Sequence, residues 1–404
     1  MRTVGRAICL FAVLASATSV AAAFRTDVLV ATEKGSGAAI VDPTIAGAWG
    51  VSIRPAGLGG HFWVDAQQTG QSVEFVGDVG GKPLFQDGLK TVAVPGVGGA
   101  TGTPTGTVFN GSANFRITQD HPHGSITEHA NFLFASTDGI ISGWTQRNNS
   151  DGTVDRPGTA LTVIDRAAAG SKFFGLGLSQ SGDRLYAADF GAVAGIRTYG
   201  ADFTDLTVHY GFANPFGGTF AASNVQDFAF GGVGSVFATY AAQAAPGSEA
   251  KGLGRLARYN EAGTLLAVAD DRGLLDAPWG LAVAPASFGG FGGDLLVGNA
   301  TNGTIVAFDP VTLRAVGYLR GAGGVRLVVP GLRGLVFGNG ASLGQSDALY
   351  FGAGPDGGKQ GLFGRVTATV PEPTSWATMI VGFGLAGAAL RRRPAGRRVQ
   401  SAMS

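Results

Sequence analysis

The strongest constraint on the fold of this chain is a short motif that recurs six times at nearly regular spacing. The copies are Trp49-Gly50-Val51, Thr105-Gly106-Thr107-Val108-Phe109, Phe174-Gly175-Leu176-Gly177-Leu178, Gln226-Asp227-Phe228-Ala229-Phe230, Trp279-Gly280-Leu281-Ala282-Val283 and Arg333-Gly334-Leu335-Val336-Phe337. Their second residues stand at positions 50, 106, 175, 227, 280 and 334, so the intervals are 52–56 residues except for one of 69. A repeat of this period predicts one supersecondary unit per copy.

Each copy of the motif is followed by further short apolar runs separated by polar turns. The runs 62–65 and 73–75 follow the first copy, and 295–299 and 304–308 follow the fifth. A fourth run closes some units, as at 265–268 and 315–319. Six units of four short strands predict an all-β protein, a six-bladed β-propeller. The run 27–31 is predicted to complete the last blade as its outer strand, and residues 148–157 to form a loop insertion in the long interval.

Composition agrees with this fold and excludes several others. The 68 glycines show no Gly-X-Y period, which excludes collagen, and they separate short apolar runs, which is typical of tight turns between strands. A right-handed β-helix is the alternative, but its rungs are usually shorter than fifty residues. The net charge of +1, with 14% charged residues, gives no field that would recruit nucleic acid.

The repeat pattern as a whole resembles an uncharacterised family of PEP-CTERM-sorted bacterial proteins with an NHL-like propeller. The matching segments are Pro104-Thr105-Gly106-Thr107-Val108-Phe109-Asn110, Ser136-Thr137-Asp138-Gly139-Ile140-Ile141-Ser142-Gly143-Trp144, Ala277-Pro278-Trp279-Gly280-Leu281-Ala282, Gly293-Asp294-Leu295-Leu296-Val297-Gly298-Asn299 and Leu349-Tyr350-Phe351-Gly352-Ala353-Gly354-Pro355. The resemblance implies the propeller fold. It implies no activity and no catalytic set.

The N-terminus reads as an export signal. Arg2 and Arg6 precede an apolar stretch, 7–20, and Ala21-Ala22-Ala23 supplies the small residues that signal peptidase requires. Residues 1–23 are therefore predicted to be a signal peptide, and 24–369 the propeller. The alternative is a buried N-terminal helix. The only cysteine, Cys9, lies in the predicted leader, so the mature chain depends on burial rather than disulfides for its stability.

The C-terminus combines Pro371-Glu372-Pro373, an uncharged apolar run at 376–390, and Arg391-Arg392-Arg393. The apolar run predicts a single membrane-spanning helix, and the arginines keep its end on the cytoplasmic side. This arrangement resembles the PEP-CTERM sorting signal, which the membrane peptidase exosortase reads. The segment 371–394 is thus predicted to be the signal and 395–404 a short cytoplasmic tail. The resemblance implies transient anchoring in the inner membrane and then a cell-surface or extracellular location; a permanent tail anchor is the alternative.

Strand direction predicts where a ligand would bind. The start of each innermost strand lies beside the end of the second strand, so Trp49 and Trp279 are expected to share a rim with Asp65, Asp189 and Asn299. Aromatic and polar groups at a channel mouth are suited to a sugar or to a cation bound through oxygen. The alternative is structural, since Asp and Asn in turns bond their own backbone and Trp packs between blades.

A histidine-rich segment is the second candidate site. His121, His123 and His129 fall within nine residues of one another, beside two carboxylates. His-x-His on an extended segment places both rings on one side, as a divalent cation requires. A solvated loop is the alternative interpretation. The sequence predicts no other cofactor.

These features favour an exported, non-enzymatic propeller that is processed by exosortase and binds exopolysaccharide or surface proteins in a biofilm matrix. The main alternative is a propeller enzyme acting on matrix material, either a glycan hydrolase or lyase or a metal-dependent lactonase, and a third is a purely structural surface protein. No Gly-x-Ser-x-Gly elbow is present in the sequence.

Overall fold

A computed structural model describes residues 23–230, 233–243 and 253–369. The predicted signal peptide, apart from Ala23, lies outside the described residues, as do the predicted sorting signal and the tail. Two strands precede the first blade: β1 (Ala23–Ala31) and β2 (Ile40–Val41). Within the described part of the chain, the helices are three-residue 3-10 turns, and none is long and apolar enough to span a membrane.

The remaining strands form six antiparallel sheets arranged as blades and two separate two-stranded hairpins. Blade 1 contains β3 (Ala48–Ser52), β4 (Phe62–Ala66), β5 (Gln71–Phe75) and β6 (Thr91–Ala93). Blade 2 contains β7 (Pro104–Phe109), β10 (Phe132–Ser136), β11 (Ile140–Trp144) and β14 (Leu161–Asp165). It also carries two hairpins, formed by β8 (Arg116–Gln119) with β9 (Ile126–His129) and by β12 (Arg147–Asn148) with β13 (Val154–Asp155).

Blade 3 has three strands, β15 (Phe173–Leu178), β16 (Arg184–Asp189) and β17 (Gly195–Gly200). Blade 4 contains β18 (Phe220–Phe230), β19 (Val233–Ala242), β20 (Gly254–Tyr259) and β21 (Leu265–Val268). Blade 5 contains β22 (Pro278–Val283), β23 (Leu295–Asn299), β24 (Ile305–Phe308) and β25 (Ala315–Tyr318). Blade 6 begins with β26 (Leu332–Phe337), β27 (Ala348–Ala353) and β28 (Leu362–Thr369).

The 3-10 turns lie in the connections between strands. They are Pro43–Ile45, Val97–Gly99, Ala167–Ala169, Thr207–His209, Gly289–Phe291, Ala322–Gly324 and Asp356–Gly358.

The first strand of the chain completes the last blade. The sheet order of blade 6 is β2-β1-β28-β27-β26, and β1 pairs antiparallel with β28 from Ala23 opposite Thr369 to Ala31 opposite Leu362. Pairing of the two ends leaves fewer open strand edges and ties the first strand to the last blade. The predicted outer strand and the six-bladed, all-β architecture are confirmed.

The innermost strands meet around the axis through five glycines, Gly50, Gly106, Gly175, Gly280 and Gly334. A Cβ atom on Gly106 would lie 2.8 Å from the Cα atom of Gly175, and one on Gly334 would lie 2.5 Å from the carbonyl oxygen of Trp49. Each glycine thus approaches the next blade, and the last approaches the first. The ring is closed through the innermost strands as well as through β1.

In blade 4, the structure corrects the residue that corresponds to the repeated glycine. Strand pairing places Asn224, rather than Asp227, in line with Gly175 and Gly280. The Asn224 side chain fills the gap between neighbouring blades, donating from Nδ2 to the carbonyl oxygen of Trp279 at 2.8 Å. The sequence analysis placed this position three residues too late in the chain. The reason is that β18 is eleven residues long and continues its apolar pattern past the point where the innermost strands meet.

The predicted insertion in the long interval is present as the β12–β13 hairpin. The same interval also contains the β8–β9 hairpin, which the sequence did not predict. Both hairpins interrupt blade 2, so this blade alone accounts for the irregular spacing of the repeat.

Close packing of the inner strands gives a testable expectation for Gly106→Ala. The added methyl group would meet the backbone of Gly175, Phe174 and Leu176, all within 3.2 Å, so the backbone must shift. We expect the free energy of unfolding to fall by about 1–3 kcal/mol, measured by urea denaturation. Gly88→Ala is the matched control, because nothing lies within 4 Å of its added methyl group. Equal stability of the two variants would contradict the close approach.

Candidate functional site at the channel mouth

In five of the six blades, the residue before the ring glycine, or before Asn224 in blade 4, lies at one mouth of the central channel. Trp49, Phe174, Ser223, Trp279 and Arg333 line a cavity of about 250 Å³ there. The centroid of the Trp49 ring lies 6.1 Å from that of Trp279 and 5.7 Å from that of Phe174, in edge-to-face contact. The innermost strands of blades 1, 3 and 5 therefore build one aromatic mouth beside Arg333 of blade 6, and blade 4 adds Ser223.

Arg333 carries the charge of this site. Its guanidinium carbon lies 4.6 Å from the centroid of the Trp49 ring, a cation–π contact. Nη1 donates to the carbonyl oxygen of Leu332 at 3.3 Å. No carboxylate of the described chain lies within 4.0 Å of the guanidinium. Burial lowers the pKa of Arg333 to about 10, so the group is cationic at neutral pH.

The mouth is also short of hydrogen-bond acceptors. The buried indole nitrogens of Trp49 and Trp279 have no acceptor among the described residues, and Trp279 is only 5% exposed. Buried donors and an uncompensated cation are costly without a partner. The arrangement is electrostatically suited to an anionic group that enters the mouth.

The three polar residues predicted at the rim lie inside the blades, and this part of the prediction is corrected. Asp189 and Asn299 are the last residues of the second strands of their blades, and each is fully buried. Asp189 accepts from Arg197 Nε at 2.9 Å, and Asn299 donates to Thr304 Oγ1 at 2.9 Å. Their side chains face the interior because residues of a middle strand point at neighbouring blades rather than along the channel.

Asp65, the third of these, is fully buried in the second strand of blade 1. Burial raises the pKa of its carboxyl well above the usual range. The structure brings together only Trp49 and Trp279 of the predicted rim.

Arg333 is the functional candidate that the sequence reasoning missed. Its signal was present, because Arg333 occupies the same place in the repeat as Trp49 and Trp279, immediately before the glycine. A comparison of the residues that precede the repeated glycine, rather than of the polar residues at the ends of the second strands, identifies Arg333 from the sequence.

The other end of the channel opens into a larger cavity of about 540 Å³. Its walls are mainly apolar, with Arg54 and Asp227 among the polar lining residues. Burial and the neighbouring Glu261 carboxyl raise the pKa of Asp227 to about 7. Arg184 Nη2 lies 2.9 Å from Glu261 Oε2 and forms an ion pair with it.

The predicted histidine site is divided by the structure. His121 and His123 lie together, and Asp155 joins them from the second hairpin of blade 2. His129 lies apart from this group, with its Nε2 3.0 Å from Asn131 Nδ2. Burial lowers the pKa of His129.

Comparison with known proteins finds two similar proteins of Acanthamoeba polyphaga mimivirus, both uncharacterised. One is 27% identical over 340 residues, covering 81% of this chain and 76% of the viral protein. The other is 26% identical over 339 residues, covering 81% of this chain and 82% of the viral protein. Among solved structures, the PQQ-bound aldose sugar dehydrogenase of Streptomyces coelicolor aligns with 86% of this chain and 98% of its own, at 13% identity and a TM-score of 0.43.

Residues 369–393 match the PEP-CTERM protein-sorting motif. This segment contains Pro371, Glu372 and Pro373 together with Arg391, Arg392 and Arg393. The motif indicates an exported protein that exosortase processes at the membrane and that reaches the cell surface.

Proposed function

We propose that this protein is an exported propeller that binds an acidic, carboxylate-bearing exopolysaccharide at the channel mouth. In this proposal, signal peptidase removes residues 1–23 and exosortase cleaves near Pro371-Glu372-Pro373, which releases the propeller from its membrane helix to the cell surface or matrix. The observation that supports ligand binding is Arg333, a cation without a carboxylate partner in the described chain, enclosed by aromatic rings.

The chemistry of the mouth favours a carboxylate-bearing sugar over other anions. Guanidinium groups bind carboxylates through paired, charge-assisted hydrogen bonds, and aromatic edges and faces pack against the C–H surfaces of sugar rings. The cavity of about 250 Å³ is smaller than the pockets that enclose drug-sized ligands. A terminal or looped sugar unit of a polymer fits this description better than an extended chain segment.

Calorimetric titration with oligogalacturonate tests the proposal, with a neutral galactan oligomer of the same length for comparison. We expect binding of the acidic oligomer only, because the neutral one offers nothing to neutralise Arg333. Arg333→Gln keeps hydrogen-bonding capacity but removes the charge, and is expected to weaken binding by about 10- to 100-fold.

Arg326→Gln provides the matched control. Arg326 also lies over an aromatic ring, 4.2 Å from the Tyr318 centroid, but it is exposed at the edge of blade 5. Its variant should bind like the wild type. Unchanged affinity in Arg333→Gln, or equal binding of the neutral oligomer, would reject the channel mouth as the glycan site.

Hydrolysis or lyase chemistry at the opposite cavity is the second candidate function. It is favoured by Asp227, whose pKa of about 7 suits a general acid, beside the carboxyl group of Glu261. Turnover of the same oligomers that is lost in Asp227→Asn but retained in Arg333→Gln would support the enzyme. Absence of any product with the wild type would leave the binding function.

Processing is tested separately by mass spectrometry of the secreted protein. We expect an N-terminus near Phe24 and a C-terminus near Pro373. An intact arginine tail on the exported protein would contradict cleavage by exosortase.

A further inference from the structure

The two hairpins of blade 2 meet at a group of three potential metal ligands. His121 and His123 lie in the turn between β8 and β9, and Asp155 lies at the end of β13. One ligand atom from each residue can be chosen so that all three lie within 4.8 Å of one another. Residues more than thirty positions apart in the chain thus converge at one point.

The distances within the group are close to those of a coordination shell. His123 Nδ1 lies 2.9 Å from Asp155 Oδ1, and His121 Nδ1 lies 3.9 Å from Asp155 Oδ2. Nitrogen and oxygen ligands at 2.0–2.1 Å around a tetrahedral zinc ion are separated by roughly 3.3 Å. For the ligands to bind one ion, the His123–Asp155 separation must widen by about 0.4 Å and the His121–Asp155 separation must close by about 0.6 Å.

The carboxylate of this group is buried, whereas one side of the group is open to solvent. Asp155 is 4% exposed, whereas 73% of the His123 side chain is accessible to solvent. A buried carboxylate supplies a fixed anchor, and the open side would leave room for a water ligand. Two imidazoles with one carboxylate form a ligand set that suits zinc, cobalt or nickel rather than calcium or magnesium.

We propose that His121, His123 and Asp155 form a binding site for a divalent transition-metal ion, with a fourth position open to water. This site lies on the hairpins of blade 2 and does not depend on the glycan function proposed for the channel mouth. His129, which the sequence grouped with the other two histidines, takes no part in it.

Arg147 competes with the metal for Asp155. Its Nη2 lies 2.5 Å from Asp155 Oδ2, and it also donates to the carbonyl oxygen of His123 at 2.9 Å. A guanidinium beside the site repels a metal cation and occupies one carboxylate oxygen. Removal of the Arg147 charge therefore distinguishes a metal site from a simple ion pair between Asp155 and Arg147. If the cluster binds metal, affinity rises; if the cluster only pairs Asp155 with Arg147, no metal binds with or without the arginine.

Titration of the mature protein with Co²⁺ and Zn²⁺ tests the site, with Ca²⁺ as the comparison. We expect visible d–d absorption from bound Co²⁺, its displacement by Zn²⁺, and no effect of Ca²⁺. His123→Ala and Asp155→Asn should each weaken binding at least about tenfold. Arg147→Gln should strengthen binding.

His129→Ala is the matched control, because it removes a neighbouring histidine that lies outside the group, and it should leave binding unchanged. His123 is solvent-exposed, so its alanine variant is expected to retain the wild-type circular dichroism spectrum. Absence of Co²⁺ absorption in both the wild type and Arg147→Gln would overturn the proposal. Equal affinity of His123→Ala and the wild type would do the same.

Discussion

Replacing Asp78 by alanine is expected to lower the free energy of unfolding by about 3–5 kcal/mol. Asp78 follows the third strand of blade 1 and is buried against blade 6, across the seam where the ring closes. Tyr350 donates its hydroxyl hydrogen to Asp78 Oδ2 at 2.5 Å, and Arg365 Nη1 lies 2.7 Å from both carboxylate oxygens. Alanine would leave the phenol and the guanidinium without their shared partner in a largely dry environment.

The measurement is urea denaturation followed by circular dichroism. Arg25→Gln is the control, because the Arg25–Asp27 ion pair is 3.5 Å long and its arginine side chain is 61% exposed. Exposed pairs contribute about 0–1 kcal/mol. Tyr350→Phe removes the hydroxyl that donates to Asp78 and accepts from the Gln345 backbone N–H at 3.1 Å, and its loss of stability should fall between the two. A loss for Asp78→Ala no larger than that for Arg25→Gln would show that the seam does not depend on this carboxylate.

Glu74→Gln is expected to stabilise the protein increasingly as the pH rises above 5. Glu74 and Asp65 are fully buried in blade 1, and strand pairing places Glu74 opposite Trp63 and Asp65 opposite Ser72 on the same face of the sheet. Burial raises the pKa of Glu74 well above the usual range, and the nearby Asp65 carboxyl raises it further. Glutamine has the shape of the neutral acid and cannot ionise.

The sign follows from proton binding. A folded-state pKa above the unfolded value of about 4.3 means that the native protein retains a proton that the unfolded chain releases. The wild type therefore loses stability as the pH rises between these two pKa values, by about 1.4 kcal/mol per pH unit for this group. The advantage of Glu74→Gln should therefore grow with pH until the folded-state pKa of Glu74 is reached.

Denaturation curves at pH 5, 6, 7 and 8 measure this effect. Glu33→Gln is the matched control, because Glu33 is exposed in the turn after β1 and its substitution should change stability little at any pH. A constant difference between Glu74→Gln and the wild type across the range would contradict burial of a neutral Glu74.

The fold was largely readable from the sequence because the repeat is a local signal. Five of the six innermost strands carry a glycine at the same place, and the spacing of the repeated motif counts the blades without any knowledge of contacts. The prediction failed by three residues only in blade 4, where Asn224 replaces glycine and the long β18 continues its apolar pattern. A side chain is tolerated there because its amide bonds the next blade.

The candidate sites were less predictable, because they depend on side-chain direction and on pairing between distant segments. Trp49 and Trp279 were found through their place in the repeat, whereas Arg333 in the same place was overlooked. Asp189 and Asn299 lie where strand order placed them, but their side chains face the blade interior. Asp155 had no sequence signal linking it to His121 and His123, because two hairpins must fold before they meet.

The sequence by itself determined the number of blades and the all-β class, because the repeat recurs at a nearly regular period, and the sorting motif at the C-terminus, because that motif is one contiguous segment. Only the tertiary structure decided which polar groups are partnered and which face a cavity. Whether a carboxylate has an ion-pair partner depends on the side chains of the neighbouring blade, and those side chains are some fifty residues away in the sequence. The charge of Arg333 became informative only when the surrounding ring of blades showed no carboxylate within reach among the described residues.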